Sequence, residues 1–438
     1  MARFVVFGLG MVGRSFLRLA YENALVSPEN WFAVEKNTDF IAFFKKYNGL
    51  EANYIIADVN HENYRHVFSF LNEGDYLLDF SSFPGNTDLL SFCMEKGIHY
   101  LSTCSLPLEK DGQSLPDHHD FILYKELKKK PLLSKATSII EFGMNPGMVS
   151  CFLKQGLKAI AAKDDTPFVA AHRDELQELI KNGQYALAAQ KLGVEVVHIS
   201  DTDTTQVNFQ SAPDTIYSTW NPEAFREEST NFSEISLGSD TAVETFGPRI
   251  KEYDASDGYL RLKDSAAIIK DQSVSPWGSF TGHIVPHEEI YTIADFLSVR
   301  KDDRLIYKPS VYFVYKACDI ARQSLSNNSK NVREHLISSD EISAGGEAVG
   351  IVLDGKNFKT RYFGNRLEIP IKEDTPTILQ VSASAYAAFR YMLDNPSLGF
   401  LFPEELDDEK LLEYARPYLK EYVTFTCPPL ERHFKKAR

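Results

Sequence analysis

Gly8, Gly10 and Gly13 form a G-x-G-x-x-G pattern directly after the apolar run 3–7 (RFVVF) and at the head of an amphipathic stretch that begins at Met11. Strand, glycine turn and helix in that order constrain the fold more than any other feature of the chain. The first glycine permits a tight turn, the second lets backbone approach a pyrophosphate, and the third lets helix and strand pack closely. The helix N-terminus, with Met11 and Val12 in its first turn, then offers unpaired N–H groups and a partial positive charge to an anion. The next apolar run, WFAVE, ends at Glu35. A carboxylate there accepts hydrogen bonds from an adenosine ribose and repels an added 2′-phosphate, which favours NAD over NADP. Arg14 and Lys36 lie close enough in sequence to pair with such a phosphate, so the sequence leaves both cofactors open.

Beyond the glycines the chain alternates short strands with helical stretches through WFAVE, YIIADV, YLLDFS, HYLST and SIIEFG. This βαβ rhythm predicts a parallel sheet covered on both faces. At 438 residues the chain exceeds the size at which one core keeps growing. The expected class is α/β: a Rossmann-type, doubly wound parallel sheet over residues 1–150, followed by a mixed α+β domain over 151–375 for substrate and dimerisation. Residues 376–438 read as C-terminal helices that pack back on the first domain. Ligands of such sheets dock beyond the carboxyl ends of the strands, which singles out Asp79, Ser81 and Ser82 at the end of YLLDFS and Thr103 at the end of HYLST. Each of these, taken alone, also reads as a turn or cap residue.

The formal charge of −14 disfavours nucleic acid, whose binding draws on Lys and Arg neutralising phosphates, and suits a cationic ligand. Surplus acid also serves solubility alone. Five cysteines, at 93, 104, 151, 318 and 427, form no CxxC pair and no Cys/His spacing for zinc. They point to free thiols in a reducing compartment and to no structural metal. The N-terminus is interrupted by glycines and reads as strand and turn rather than a signal peptide, and no apolar run is long enough to span a membrane. The expectation is a cytoplasmic protein.

The segment EFGMNPGMVS, residues 141–150, resembles the Asn-Pro-Gly turn that follows the last nucleotide-domain strand of the saccharopine dehydrogenase-like enzymes. Later segments resemble the homospermidine synthases among them: GVEVVHISDTDTTQ, the tryptophan of YSTWNPEAF, GHIVPHEEIYTIADFLSV, and the ending from TILQVSASAYAAF to LLEYARPYL. The likeness runs from residue 1 to about 430. It implies an NAD-dependent, aminoalkyl-transferring homodimer that joins two putrescines, or spermidine and putrescine, into homospermidine, releasing ammonia or diaminopropane. The cofactor is reduced and reoxidised within one cycle.

That chemistry asks for particular side chains. An indole face attracts ammonium through its quadrupole by about 0.5–2 kcal/mol without neutralising it, and the resemblance assigns this to Trp220. A buried structural tryptophan is the plain alternative. Amine oxidation needs a neutral nitrogen, hence a base titrating near neutrality. His287 fits, and in an extended VPHEEIY segment it shares a face with Glu289. The resemblance places both in the substrate pocket, puts Asn145 and Pro146 near the nicotinamide and the substrate nitrogen, and adds Asp201 and Glu347 as pocket acids. Relatives carry the longer glutamate where Asp201 stands. They also carry a glutamate where this chain has Leu106, so either Glu109 or Glu141 compensates or the amine preference differs. Two rival readings stay open. One is a reductase of the saccharopine or carboxyspermidine type, clamping a substrate carboxylate through Arg173, Arg226, Arg249, Arg261 or Arg366. The other is a nonenzymatic NAD-binding protein.

Overall fold

The computed structural model describes residues 2–42, 53–104, 109–110, 113–114, 116–130, 135–266, 268–325, 332–371, 373–420 and 422–429. The chain divides into two compact units, one formed by residues 1–148 and 378–418, the other by 149–377 and 419–438.

The first unit is built on a parallel sheet. Its strands are β1 (Phe4–Phe7), β2 (Trp31–Glu35), β3 (Tyr54–Ile56), β4 (Tyr76–Asp79), β5 (His99–Ser102) and β6 (Ser138–Ile139). The short strand Phe400–Leu401 joins the edge beside β6. Among the described residues the spatial order is β3-β2-β1-β4-β5-β6 and then Phe400–Leu401, with all pairings parallel. The order reverses between β1 and β4, the switch point at which such sheets hold ligands. β1 and β4 are buried throughout, as expected of strands covered on both faces. Helix α1 (Met11–Glu22) leaves the first glycine turn, and α2 (Asn86–Lys96) follows β4. From Ile378 onward the late helix Pro376–Asp394 belongs to this unit too. Its Phe389 packs among Phe4, Phe16, Trp31 and Tyr76, with ring centroids 5.6–6.2 Å apart.

The second unit carries a mixed sheet of ten strands among the described residues. At its centre the strand Val194–Asp203 runs parallel to Ser310–Lys316 on one side and antiparallel to Gly346–Gly355 on the other. The sheet continues outward through Arg361–Glu368 to Tyr422–Thr426, so the chain's last described strand lies in this unit. The expected fold class, a Rossmann-type sheet with a mixed α+β domain, is what the chain adopts. No helix among the described residues is long and apolar enough to cross a membrane.

Candidate functional site

In the first unit the three glycines do different work. Gly8 has φ +88°, and a Cβ there would lie 2.8 Å from the backbone of Phe80 and Ser81. A Cβ on Gly13 would lie 2.1 Å from the Gly8 carbonyl oxygen. At Gly10 a Cβ would meet nothing within 4 Å, so this backbone faces open space. Gly10 is also the N-cap of α1, with no side chain capping the helix and no acid in its first turn. Met11 and Val12 stand half-buried in that turn. A side-chain-free approach to uncapped N–H groups is what a pyrophosphate needs.

Glu35, buried at the end of β2, accepts the Leu9 N–H at 2.6 Å and the Asn37 N–H at 2.8 Å. Its carboxylate is thereby tied to the residue between the first two glycines. Lys36 is ion-paired with Asp58 at 3.8 Å on the surface, and Arg14 lies over the Phe40 ring at 4.6 Å. Asp79 points inward: it accepts Ser81 N–H and O–H, Asn86 Nδ2 and Tyr100 O–H. Burial pushes its carboxyl up to about 6, against those hydrogen bonds. Asp79 therefore holds the β4–α2 turn from beneath, while Ser81 is half-buried and Ser82 exposed. Thr103 is buried just past β5. The turn after β6 is closed by Gly143 N–H donating to Pro146 O at 2.8 Å and by Gly147 at φ +117°, with Asn145 half-buried and Pro146 buried. Glu141 is buried at the start of this turn, its N–H donating to Ser102 Oγ at 3.2 Å. Leu106 lies outside the described residues, as does the Glu109 side chain.

In the second unit, strand register assembles acids that are far apart in sequence. Asp201 and Asp203 share a face of Val194–Asp203. Glu347 stands opposite Asp203, and Tyr315 opposite Asp201. All three carboxylates are nearly fully buried. Burial and the charges of Asp201 and Asp203 raise the Glu347 carboxyl well above its usual range, and Glu347 is hydrogen-bonded to Asp201. Asp203 is fixed by the Thr205 N–H at 2.7 Å and the Thr219 hydroxyl at 2.9 Å. Thr219 immediately precedes Trp220, whose loop is braced by Ser218 Oγ accepting the Trp220 and Asn221 N–H groups at 3.2 Å. The indole is half-buried. A cleft of about 450 Å³ reaches Asp203 and is lined also by Thr205, Gln206, Phe209, Lys316 and Asp319.

A second acidic group surrounds His287. The segment is not extended, as the sequence reading supposed: Glu289 opens a helix, Glu289–Phe296, with His287 and Glu288 in the approach. The imidazole–carboxylate pair forms nonetheless, Nδ1 of His287 meeting Glu289 Oε2 and lying 3.3 Å from Glu288 Oε2. Burial works against the imidazolium, but Glu289, Glu288 and Glu228 outweigh it and hold the histidine's pKa well above its usual value. The surrounding carboxylates thus favour the imidazolium, against the expectation of a base titrating near neutral pH. Glu228 titrates there instead: burial, opposed by His287 and reinforced by Glu288 and Glu289, pushes its carboxyl up to about 7. Sequence reading missed Glu228. The available signal was helical spacing, since it lies three residues after the buried Phe225 in Pro222–Thr230.

Aromatic rings link the two groups. His287 meets Phe313 edge-on at 5.0 Å, and Phe313 and Tyr315, two apart on one strand, lie 6.1 Å apart with near-parallel planes. The face thus carries acids beside Tyr315, acids around His287, and ring surface between. Among the described residues His287, Glu288 and Glu289 also form the one cluster compact enough for a metal ion.

Fold and sites together define an enzyme with a Rossmann-type nucleotide-binding unit. Residues 4–137 match the saccharopine dehydrogenase NADP binding domain family. Over nearly its whole length the chain is similar to homospermidine synthases. It is 25% identical to that of Mesorhizobium japonicum, covering 98% of this chain and 91% of the relative, and 26% identical to that of Blastochloris viridis, covering 96% and 90%. A crystal structure of the homospermidine synthase of Legionella pneumophila in complex with NAD shares the fold, with a TM-score of 0.82 at 24% identity over 97% of this chain and 91% of that one. The yeast saccharopine dehydrogenase (L-Glu forming) is more distant, with a TM-score of 0.55 at 8% identity over 97% and 100%. The resemblance drawn from dispersed sequence motifs therefore extends along the chain.

Proposed function

We propose that the protein is an NAD-dependent homospermidine synthase, transferring an aminobutyl group from putrescine or spermidine to a second putrescine with loss of ammonia or diaminopropane. The observation that carries the reading is the pair of buried acidic groups separated by aromatic surface in the second unit, a match for a dication with an apolar middle. The full-length relatives named above supply the reaction.

When bound, NAD would supply hydride uptake and return; the Gly8–Gly13 turn would hold its pyrophosphate, Glu35 its adenosine ribose and the Asn145–Pro146 turn its nicotinamide side. The remaining work belongs to side chains. Trp220 holds the amine and the imine by its indole face. Glu228, titrating near neutrality, takes the ammonium proton that must leave before the neighbouring carbon can be oxidised, and returns it to the departing amine. His287 stays protonated and fixes the carboxylates of Glu288 and Glu289, which exceed its single charge and leave room for a substrate cation. Asp201, Asp203 and Glu347 bind the distal ammonium, and Phe313 and Tyr315 line the chain between. The protein acts as a homodimer in the cytoplasm.

The reductase reading needs an arginine clamp. Arg226 pairs with Glu334, Arg249 with Asp264 and Arg261 with Glu234, while Arg173 donates to the carbonyls of Ala162 and Asp164. That leaves the exposed Arg366 among the candidates. Incubation of the protein with NAD and putrescine tests the proposal. Ammonia and homospermidine should appear in equal amounts with little net NADH, whereas steady NADH production without homospermidine would overturn it.

A further inference from the structure

Two segments of the second unit carry the residues proposed to handle the amine, and one buried hydrogen bond ties them together. The first segment runs from Trp220 through the helix Pro222–Thr230, with Glu228, into the strand Phe232–Ser236, where Glu234 sits. The second runs from His287 into the helix Glu289–Phe296, where Tyr291 is the third residue. The Tyr291 phenol donates to Glu234 Oε2, and both side chains are 1% exposed. Arg261, opposite Glu234 on the neighbouring strand, brings Nε to 3.3 Å from Oε1 and lays its guanidinium over Phe232 at 5.0 Å.

A buried carboxylate and guanidinium are costly to desolvate, and apolar side chains of similar size would fill the space as well or better. What ions and a phenol add is direction, because a hydrogen bond fixes an orientation that apolar packing leaves loose. Glu289 lies two residues before Tyr291, so pinning the phenol fixes the helix rotation at which the Glu289 carboxylate faces His287.

We infer that Glu234, braced by Arg261, is a positioning residue: through Tyr291 it sets the rotation of the helix Glu289–Phe296 and so holds the contact between Glu289 and His287. Neither Glu234 nor Tyr291 touches substrate in this account. The inference rests on reading the His287 group as part of the amine site.

The groups facing His287 are Glu288 and Glu289 from its own segment, Glu228 from the helix Pro222–Thr230, and the uncharged Phe313 ring. Tyr291→Phe keeps the ring and removes the tether. In the full-length variant with NAD bound, NMR titration of nitrogen-labelled histidine should show the His287 pKa lower by at least one unit. The kcat with putrescine should fall about tenfold while the KM for NAD stays put. Ile293→Val, a cavity elsewhere in the same buried helix, is the control for simple destabilisation and should leave the His287 titration in place. Should Tyr291→Phe fail to fold, Glu234→Asp withdraws the acceptor by one methylene and should give the same shift. A folded tether variant with the wild-type His287 titration would overturn the inference, and so would an equal shift in Ile293→Val. The titration is read without turnover, so a chain that makes no homospermidine yet shows the shift would sink the functional proposal alone.

Discussion

Alanine at Gly10 and at Gly13 should separate nucleotide binding from folding. At Gly13 the new methyl group lies 2.1 Å from the Gly8 carbonyl oxygen, so helix and turn must part by more than about 1.3 Å before ordinary contact is restored. Overpacking of that kind costs about 1–3 kcal/mol, against a gain of about 1 kcal/mol from replacing glycine inside a helix. The strained atom is backbone and cannot swing aside, which places the net cost at about 1–2 kcal/mol. For a unit of this size that is a fall in Tm of roughly 2–8 °C without ligand. At Gly10 the methyl group meets no protein atom, and φ −61° with ψ −168° suits alanine. Exchanging glycine for alanine at an N-cap costs about 1 kcal/mol, largely offset by the reduced freedom of the unfolded chain, which leaves a few tenths of a kcal/mol, or about 1 °C. If the pyrophosphate crosses this backbone, however, the methyl group occupies its place, and the same 1–3 kcal/mol of overpacking weakens NAD by roughly 5–150-fold. Calorimetric titration with NAD and thermal unfolding of the ligand-free variants measure the two effects. Undiminished NAD affinity in Gly10→Ala would refute the placement of the phosphates, and an unchanged Tm in Gly13→Ala would refute the packing argument.

Trp220→Ala should lower kcat/KM for putrescine by tenfold or more while NAD affinity stays within about twofold, since cation–π contacts are worth about 0.5–2 kcal/mol and more when desolvated; equal losses in kinetics and in NAD titration would make the indole structural. Asp203→Asn keeps an acceptor for the Thr205 N–H and removes one of three crowded carboxylates, so thermal unfolding should show an unchanged or higher Tm while steady-state kinetics show KM for putrescine up about tenfold. His198, buried with neither ring nitrogen hydrogen-bonded, is pushed down to about 3 by burial. Its folded pKa lies below the unfolded value, so the unfolded chain takes up the proton as pH falls below about 6.5, and the fold should lose about 2 kcal/mol at pH 5 through this residue. Urea unfolding at pH 7 and pH 5 should show that loss in the wild type and its absence in His198→Leu.

The first unit was legible because its signals are local. The glycine turn, the strands on either side of it and Glu35 at the end of WFAVE all lie within about 35 residues, and the strand order follows from crossover connections of one hand. The second unit was not, because its central strand pairs with partners more than 100 residues away. No spacing rule places Asp201 and Asp203 beside Glu347. The His287 segment was misread for a different reason. Ile290, Ile293, Ala294 and Leu297 repeat at helical spacing and are all fully buried, a pattern that outweighs the extended geometry in which His287 and Glu289 would share one face. The titration of His287 lay beyond reach as well, since Glu228 reaches it only through the fold.

The nucleotide-binding unit is interrupted in sequence by residues 149–377 and completed by 378–418. On the ribosome, the aromatic face of Phe4, Phe16, Trp31 and Tyr76 must therefore wait for Phe389 until the whole inserted stretch has emerged. A fragment ending near residue 150 would carry the glycine turn intact and still leave that face bare to water, prone to clump before it could hold a cofactor.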